Sequence, residues 1–149
     1  MRNNMRILGI DYGEARVGIA ITDALNVTAQ GVETINRNGS DKIVLKRLDE
    51  ILEKYNNEID TIVVGMPLHL NGSVSTRAQE TQKFIHKLKC KYNKMRIETV
   101  DERLTTVEAH KTMNFLDINK KKKKDIVDTI SAVYILETYM NKLKNILQK

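Results

Sequence analysis

The stretch "ILGIDYGEARVGIAITD", Ile7 to Asp23, contains two apolar runs separated by the polar segment "YGEA". Apolar runs of this length around a short polar connection are typical of two strands joined in a hairpin. Asp11 closes the first run, where a central strand would reach the edge of its sheet. Ligands of open α/β sheets bind beyond the carboxyl ends of strands, so Asp11 is the first candidate site residue.

Beyond the hairpin, the apolar pattern alternates between strand and helix periods. A third strand is predicted at "AQGVETINR", and two further strands at "TIVVGMP" and "MRIETVDER". Helices are predicted from Asp41, from a Thr76 and Gln79 capping box, from Thr105 to about Phe115, and from Asp125 onward. This order predicts an α/β fold with a five-stranded mixed sheet, three antiparallel N-terminal strands and two parallel ones, flanked by about four helices.

The composition fits one globular domain over residues 1–149, because 41% hydrophobic residues suffice for a single core. The net charge of +6 makes nucleic acids candidate partners, although a lysine-rich composition alone gives the same charge.

No apolar run approaches the roughly 20 residues that span a bilayer, and no secretory signal is visible, so a cytoplasmic location without membrane contact is expected. The single cysteine, Cys90, excludes an internal disulfide.

Two more acidic positions could join Asp11. Asp101 and Glu102 end the last predicted strand, which would finish at the same edge of the sheet if it runs parallel to the first. Because side chains alternate along a strand, one of this pair can point towards Asp11, and the sequence does not say which. Asp128 lies one helical turn before Ala132 in an apolar stripe, where a buried carboxylate needs a partner.

Together, these acids form a ligand set that Mg²⁺ or Mn²⁺ prefers. Two such ions roughly 3.5 to 4 Å apart can promote hydrolysis of a phosphodiester. Each acid also has a purely structural interpretation. Asp11 can cap its own turn, and the acidic pair can form an exposed turn. Asp125 can be the N-cap of a helix whose first turn contains Asp128.

Two arginines each lie beside a candidate acid. Arg16 follows Asp11 in the hairpin, and Arg103 follows the acidic pair. A guanidinium there can hold a phosphate oxygen of a nucleic acid. Salt bridges to Glu14 or Asp101 are the alternative.

A lysine run, Lys120 to Lys124, precedes the last predicted helix. Its like charges repel one another, so the run is expected to be mobile in the free protein and able to capture phosphates through Lys121, Lys122 and Lys123. The alternative is a solvated linker without a partner.

Four segments, "GIDYGEARVGIA", "VVGMPLHLNG", "DERLTT" and "VDTISAVYILETY", resemble in order and spacing the YqgF/RuvX family of RNase H-like proteins. The resemblance implies an RNase H-like fold and a nuclease related to RuvC-type Holliday junction resolvases, with a proposed role at the 5′ end of pre-16S ribosomal RNA. It assigns a metal-binding and catalytic acid to Asp11, one to the acidic pair with Glu102 preferred, and one to Asp128.

Three functions are compatible with the sequence. The first is a metal-dependent nuclease acting on structured RNA or a DNA junction, as a monomer or a homodimer. The second is a phosphotransferase, because "DYGEARVG" also resembles the phosphate-binding hairpin of actin-like and sugar-kinase ATPases, which usually need two such domains. The third is a non-catalytic RNA-binding or ribosome-assembly factor.

Overall fold

The computed structural model describes residues 5–67, 75–101 and 120–147, with side chains from 129 to 146 in the last segment. Five strands and three helices are present in these ranges. In chain order they are β1 (Arg6–Tyr12), β2 (Arg16–Thr22), β3 (Ala29–Asn36), α1 (Asp41–Lys54), β4 (Ile59–Met66), α2 (Thr76–Lys91), β5 (Arg96–Asp101) and α3 (Lys120–Leu147).

The strands form one mixed sheet in the order β3-β2-β1-β4-β5. Strand β2 is antiparallel to both β1 and β3, whereas β4 and β5 continue the sheet parallel to β1. The predicted α/β fold with a five-stranded mixed sheet is therefore confirmed. The helix predicted over residues 105–115 lies outside the described residues.

The sheet separates two apolar clusters. On one face, Leu8, Ile10 and Tyr12 of β1 join the buried residues of α1 and α2. On the other face, Ile7 joins the buried residues of α3. Because side chains alternate along a strand, Asp11 belongs to the α3 face.

Helix α3 lies directly against the sheet because β1 carries a glycine under it. A Cβ atom added to Gly9 would come 2.5 Å from Leu136 Cγ and 3.0 Å from the Ala132 carbonyl oxygen. Further across the sheet, the Thr34 and Thr129 hydroxyl oxygens lie 3.0 Å apart. The helix is thus held against both β1 and β3.

The start of α2 differs from the prediction by one residue. Ser75, not Thr76, is the N-cap, and its hydroxyl accepts a hydrogen bond from the Ala78 backbone N–H at 3.0 Å. The same hydroxyl donates to the Pro67 carbonyl oxygen at 3.3 Å, a contact with the end of β4 that neighbouring Thr76 does not supply.

The start of α3 also differs, because the helix begins at Lys120 and not at Asp125. The lysine run is helical, which agrees with the high helix propensity of lysine, so its predicted separation from the helix is wrong. Asp125 lies inside the helix and is not its N-cap. Among the helices within residues 5–67, 75–101 and 120–147, none has the length and apolar character required to cross a membrane.

Candidate active site

Asp11 lies in the central strand, one residue before β1 ends. Asp11 is 7% exposed, and its cross-strand partner is Gly18 of β2. The sequence prediction that Asp11 stands at the end of a central strand is confirmed.

The structure adds Arg77 to this region, a residue that the sequence analysis did not select. Its Nη2 atom lies 3.6 Å from Oδ1 of Asp11 and 3.4 Å from the Tyr12 carbonyl oxygen. Arg77 stands in the first turn of α2, so it reaches the carboxylate from the helix layer opposite α3. The sequence indicated that α2 follows the end of a parallel strand, but nothing in the spacing paired Arg77 with Asp11.

Arg16 opens β2 on the same face of the sheet as Asp11. Gly18 is the cross-strand partner of Asp11, and Arg16 stands two residues before it, which preserves the side-chain direction. Its carbonyl oxygen accepts a hydrogen bond from the Gly13 N–H at 3.0 Å, which closes the hairpin. Arg16 and Asp11 therefore lie on one face, as the phosphate-binding hypothesis requires.

The register of β5 decides the direction of Asp101. Asp101 is the last residue of the strand and pairs with Met66, which packs in the α1 and α2 cluster. Val100, one residue earlier, is buried against α3. The Asp101 side chain therefore points to the opposite face of the sheet from the Asp11 side chain. Glu102 and Arg103 lie outside the described residues.

The remaining predicted residues lie in α3. The backbone of Asp128 is helical, one turn before Ala132, whose carbonyl oxygen lies close to Gly9 of β1. Lys121, Lys122 and Lys123 lie in the first turn of the same helix. The side chains of these four residues are outside the described part of the structure. Within that part, no three His, Cys, Asp or Glu side chains form a group that could hold a metal ion.

A second aspartate, Asp41, lies on the other face, with a side chain that is 9% exposed. Its Oδ1 accepts a hydrogen bond from the Tyr12 hydroxyl at 2.6 Å and forms an ion pair with Arg37 at 3.0 Å. Its Oδ2 lies 2.9 Å from Lys87 Nζ. Arg37 also donates to the Glu14 carbonyl oxygen at 2.6 Å, so this network ties the hairpin to α1 and α2.

The titration of this network follows from its contacts. Burial alone would raise the pKa of Asp41, but hydrogen bonds from Tyr12 and Lys87 and the charges of Lys87 and Arg37 outweigh burial and lower that pKa. Burial and the hydrogen bond to Asp41 raise the pKa of Tyr12. The phenol therefore remains the donor and the carboxylate the acceptor at neutral pH.

This sheet order, with a buried aspartate at the end of its central strand, defines the RNase H-like class of α/β proteins. The solved structure described as "T. thermophilus RuvC in complex with Holliday junction substrate" superposes with a TM-score of 0.56. It covers 94% of this chain and 96% of RuvC at 10% sequence identity, which supports the shared fold.

Within that class, residues 5–142 match the family model RuvX, described as Holliday junction resolvase, and the chain belongs to this family. A protein of Ruminiclostridium cellulolyticum, named "Putative pre-16S rRNA nuclease", is 48% identical over 93% of this chain and 96% of that protein. A protein of Acetivibrio thermocellus with the same name is 45% identical over 92% of this chain and 96% of its own length. The resemblance inferred from the four sequence segments is therefore confirmed.

Proposed function

We propose that this protein is a divalent-metal-dependent nuclease that hydrolyses phosphodiester bonds of structured nucleic acid. The observation that carries the proposal is the buried carboxylate of Asp11 at the edge of the central strand, in a chain of the RuvX family. The proposal includes a single RNase H-like nuclease domain over residues 1–149 and a cytoplasmic location. The proposed substrates are the 5′ end of pre-16S ribosomal RNA or a Holliday-type junction.

Asp11, Glu102 and Asp128 are the proposed catalytic residues and ligands of Mg²⁺ or Mn²⁺, in a site with two ions. Carboxylate oxygens are the ligands that these ions prefer, and Asp11 fits one such position. The register of β5 counts against Asp101, because Asp101 pairs with Met66 and faces the cluster of α1 and α2, so Glu102 stays the preferred member of the pair. Asp128 stands in α3 one turn before Ala132, whose carbonyl oxygen lies close to Gly9 of β1.

Asp11, Glu102 and Asp128 would hold these ions, which would supply a bound water of lowered pKa and positive charge for the leaving oxygen. The chain supplies orientation and shielding. The buried position of Asp11 keeps its carboxylate in a region of low effective dielectric, where its interactions are strong. Arg16 and Arg103 are proposed to hold phosphate oxygens, and Lys121, Lys122 and Lys123 to contact phosphates further along the strand.

The test is cleavage of labelled single-stranded RNA, duplex RNA, single-stranded DNA and a four-way DNA junction, each with Mg²⁺, Mn²⁺ or EDTA. We expect metal-dependent cleavage by the wild type and its loss in Asp11→Asn, which keeps the size of the side chain. Asp101→Asn is the matched control. Because the Asp101 side chain points to the opposite face of the sheet from Asp11, this variant should retain activity. An Asp11→Asn protein with the wild-type rate would contradict the proposal.

The other functions correspond to different outcomes of the same test. Binding without cleavage by the wild type would support a non-catalytic RNA-binding or ribosome-assembly factor. ATP binding measured by calorimetry would support the phosphotransferase. A four-way junction has two symmetry-related cleavage points, so junction resolution predicts a homodimer by light scattering, whereas a monomer agrees better with RNA processing.

A further inference from the structure

The guanidinium of Arg77 stands beside the carboxylate that the proposed nuclease uses. We infer that Arg77 binds a backbone phosphate of the nucleic acid at the Asp11 site. This inference rests on the proposed function for the identity of the substrate. Arg77 would therefore be a substrate-binding residue supplied by α2, in addition to Arg16 on β2.

The geometry of the Arg77 and Asp11 pair is unlike that of a structural ion pair in the same protein. Arg77 Nη2 lies 3.6 Å from Asp11 Oδ1, which exceeds the length of a hydrogen bond, and the Arg77 side chain is 50% exposed. By contrast, Arg37 and Asp41 approach to 3.0 Å with side chains that are 15% and 9% exposed. The Arg37 pair is enclosed, whereas Arg77 presents half of its surface to solvent beside a buried acid.

The two described contacts also orient Arg77. Both involve Nη2, which lies near Asp11 and near the Tyr12 carbonyl oxygen at 3.4 Å. These contacts hold one end of the guanidinium at the edge of β1, and the exposed surface of the side chain gives a phosphate access to it. The side chain is thus directed to the end of the strand and is not extended into bulk solvent.

Arginine chemistry suits this position. The planar guanidinium presents N–H donors in a fork that matches two oxygens of a phosphate. A phosphodiester approaching Asp11 brings a second negative charge to a buried carboxylate, and the two anions repel each other. A cation at this point offsets that repulsion before any chemical step.

The experiment compares three variants for binding a labelled oligonucleotide in EDTA over a series of NaCl concentrations. Arg77→Gln removes the charge, and Arg77→Lys keeps it without the fork. Arg96→Gln is the matched control. The Arg96 side chain is 64% exposed, and Arg96 is the first residue of β5, at the end of that strand remote from Asp101. Urea midpoints verify that all three variants are folded.

We expect Arg77→Gln to reduce the slope of log binding constant against log salt by about 1, the value for one lost phosphate contact. Arg77→Lys should recover part of that loss, and Arg96→Gln should keep the wild-type slope. Equal slopes for Arg77→Gln and Arg96→Gln would overturn the inference.

A purely orienting role for Arg77 has a different signature. It would leave the salt slope unchanged and raise the Mg²⁺ concentration required for half-maximal cleavage, and this result would also overturn the inference. The binding experiment does not depend on catalysis. A wild type that binds but never cuts would contradict the nuclease proposal, while the salt slopes would still decide the role of Arg77.

Discussion

The side chains of Asp11 and Asp41 are 8% and 9% exposed, and both lie beside the end of β1, yet they occupy opposite faces of the sheet. Asp41 is surrounded by Tyr12, Arg37 and Lys87 at 2.6 to 3.0 Å. Asp11 has a longer contact, 3.6 Å, with an arginine that is half exposed. Burial is nearly the same for the two acids, so burial alone does not separate a structural carboxylate from a functional one.

The partners of the two acids separate their roles. The contacts of Asp41 join β1, the segment before α1, and α2, and through Arg37 they reach the hairpin that carries Arg16. These are connections within the protein. Asp11 instead stands near the end of β1, where Arg77 approaches it to 3.6 Å, beyond hydrogen-bond distance. Lys87 is as exposed as Arg77 but lies 2.9 Å from Asp41, so the length of the contact distinguishes the two sites. We therefore expect substitutions on the two faces to have different effects on activity and stability.

The largest expected effect concerns the acidic pair at the end of β5. Glu102→Gln should lower the cleavage rate by more than about a hundredfold, because metal-assisted charge stabilisation amounts to several kcal/mol. Asp101→Asn should cleave at close to the wild-type rate, because the Asp101 side chain lies on the same face of the sheet as Met66. Single-turnover cleavage measures both rates. Loss of activity in Asp101→Asn with retention in Glu102→Gln would reverse the assignment.

Asp41→Asn should lose stability while keeping the cleavage rate per folded molecule. The change leaves Arg37 and Lys87 without their anionic partner, and hydrogen bonds to charged groups contribute about 1.5–3 kcal/mol each before solvent exposure reduces them. Urea unfolding gives the free energy difference. If Asp11→Asn destabilised the protein as much as Asp41→Asn, the contrast between the two acids would fail.

Gly9→Ala should reduce both stability and activity, unlike Asp41→Asn. The new methyl group would meet Leu136 Cγ and the Ala132 carbonyl oxygen, and such overpacking costs about 1–3 kcal/mol. It would also displace the turn of α3 between Asp128 and Ala132. A double-mutant cycle with Leu136→Ala should show favourable coupling, because truncation of Leu136 removes one of the two obstacles. Additive effects would contradict this packing.

The stabilising effect of Asp41 should depend on pH. Because the folded protein lowers the pKa of Asp41, its charged form stabilises the fold above the unfolded pKa of about 3.9, and this stabilisation is lost as pH falls through the folded pKa. The difference in unfolding free energy between the wild type and Asp41→Asn should therefore shrink below about pH 4. Urea unfolding at a series of pH values measures it, and a constant difference would argue against an ionised Asp41.

The smallest effect is expected for the lysine run. Replacing Lys121, Lys122 and Lys123 with glutamine should reduce the salt slope of nucleic-acid binding by about 1 for each lysine that contacts a phosphate. Cleavage at saturating substrate should be almost unchanged. Lys83, Lys89 and Lys94, which are exposed elsewhere, provide a control triple variant with the same loss of charge. Equal slopes for the two triple variants would indicate nonspecific attraction only.

Much of the fold was predictable because local patterns determine it. The apolar runs on both sides of "YGEA" required a hairpin, and the period of Val44, Leu48, Ile51 and Leu52 required the amphipathic helix α1. The starts of the other helices were less accurate. Ser75 and Thr76 are both good capping residues, and a contact with Pro67, eight residues earlier, distinguishes them.

The sequence by itself determined the order of the strands and helices in the described residues, the place of Asp11 at the end of a central strand, and the family, because these depend on neighbouring residues and motif spacing. The tertiary structure alone decided that Asp101 points away from Asp11, that Arg77 reaches the same carboxylate, and that Asp41 is enclosed by three side chains. Each of these depends on strand register or on contacts between distant parts of the chain. A shift of one residue in register reverses every side chain on a strand, and no local pattern specifies which arginine meets which acid.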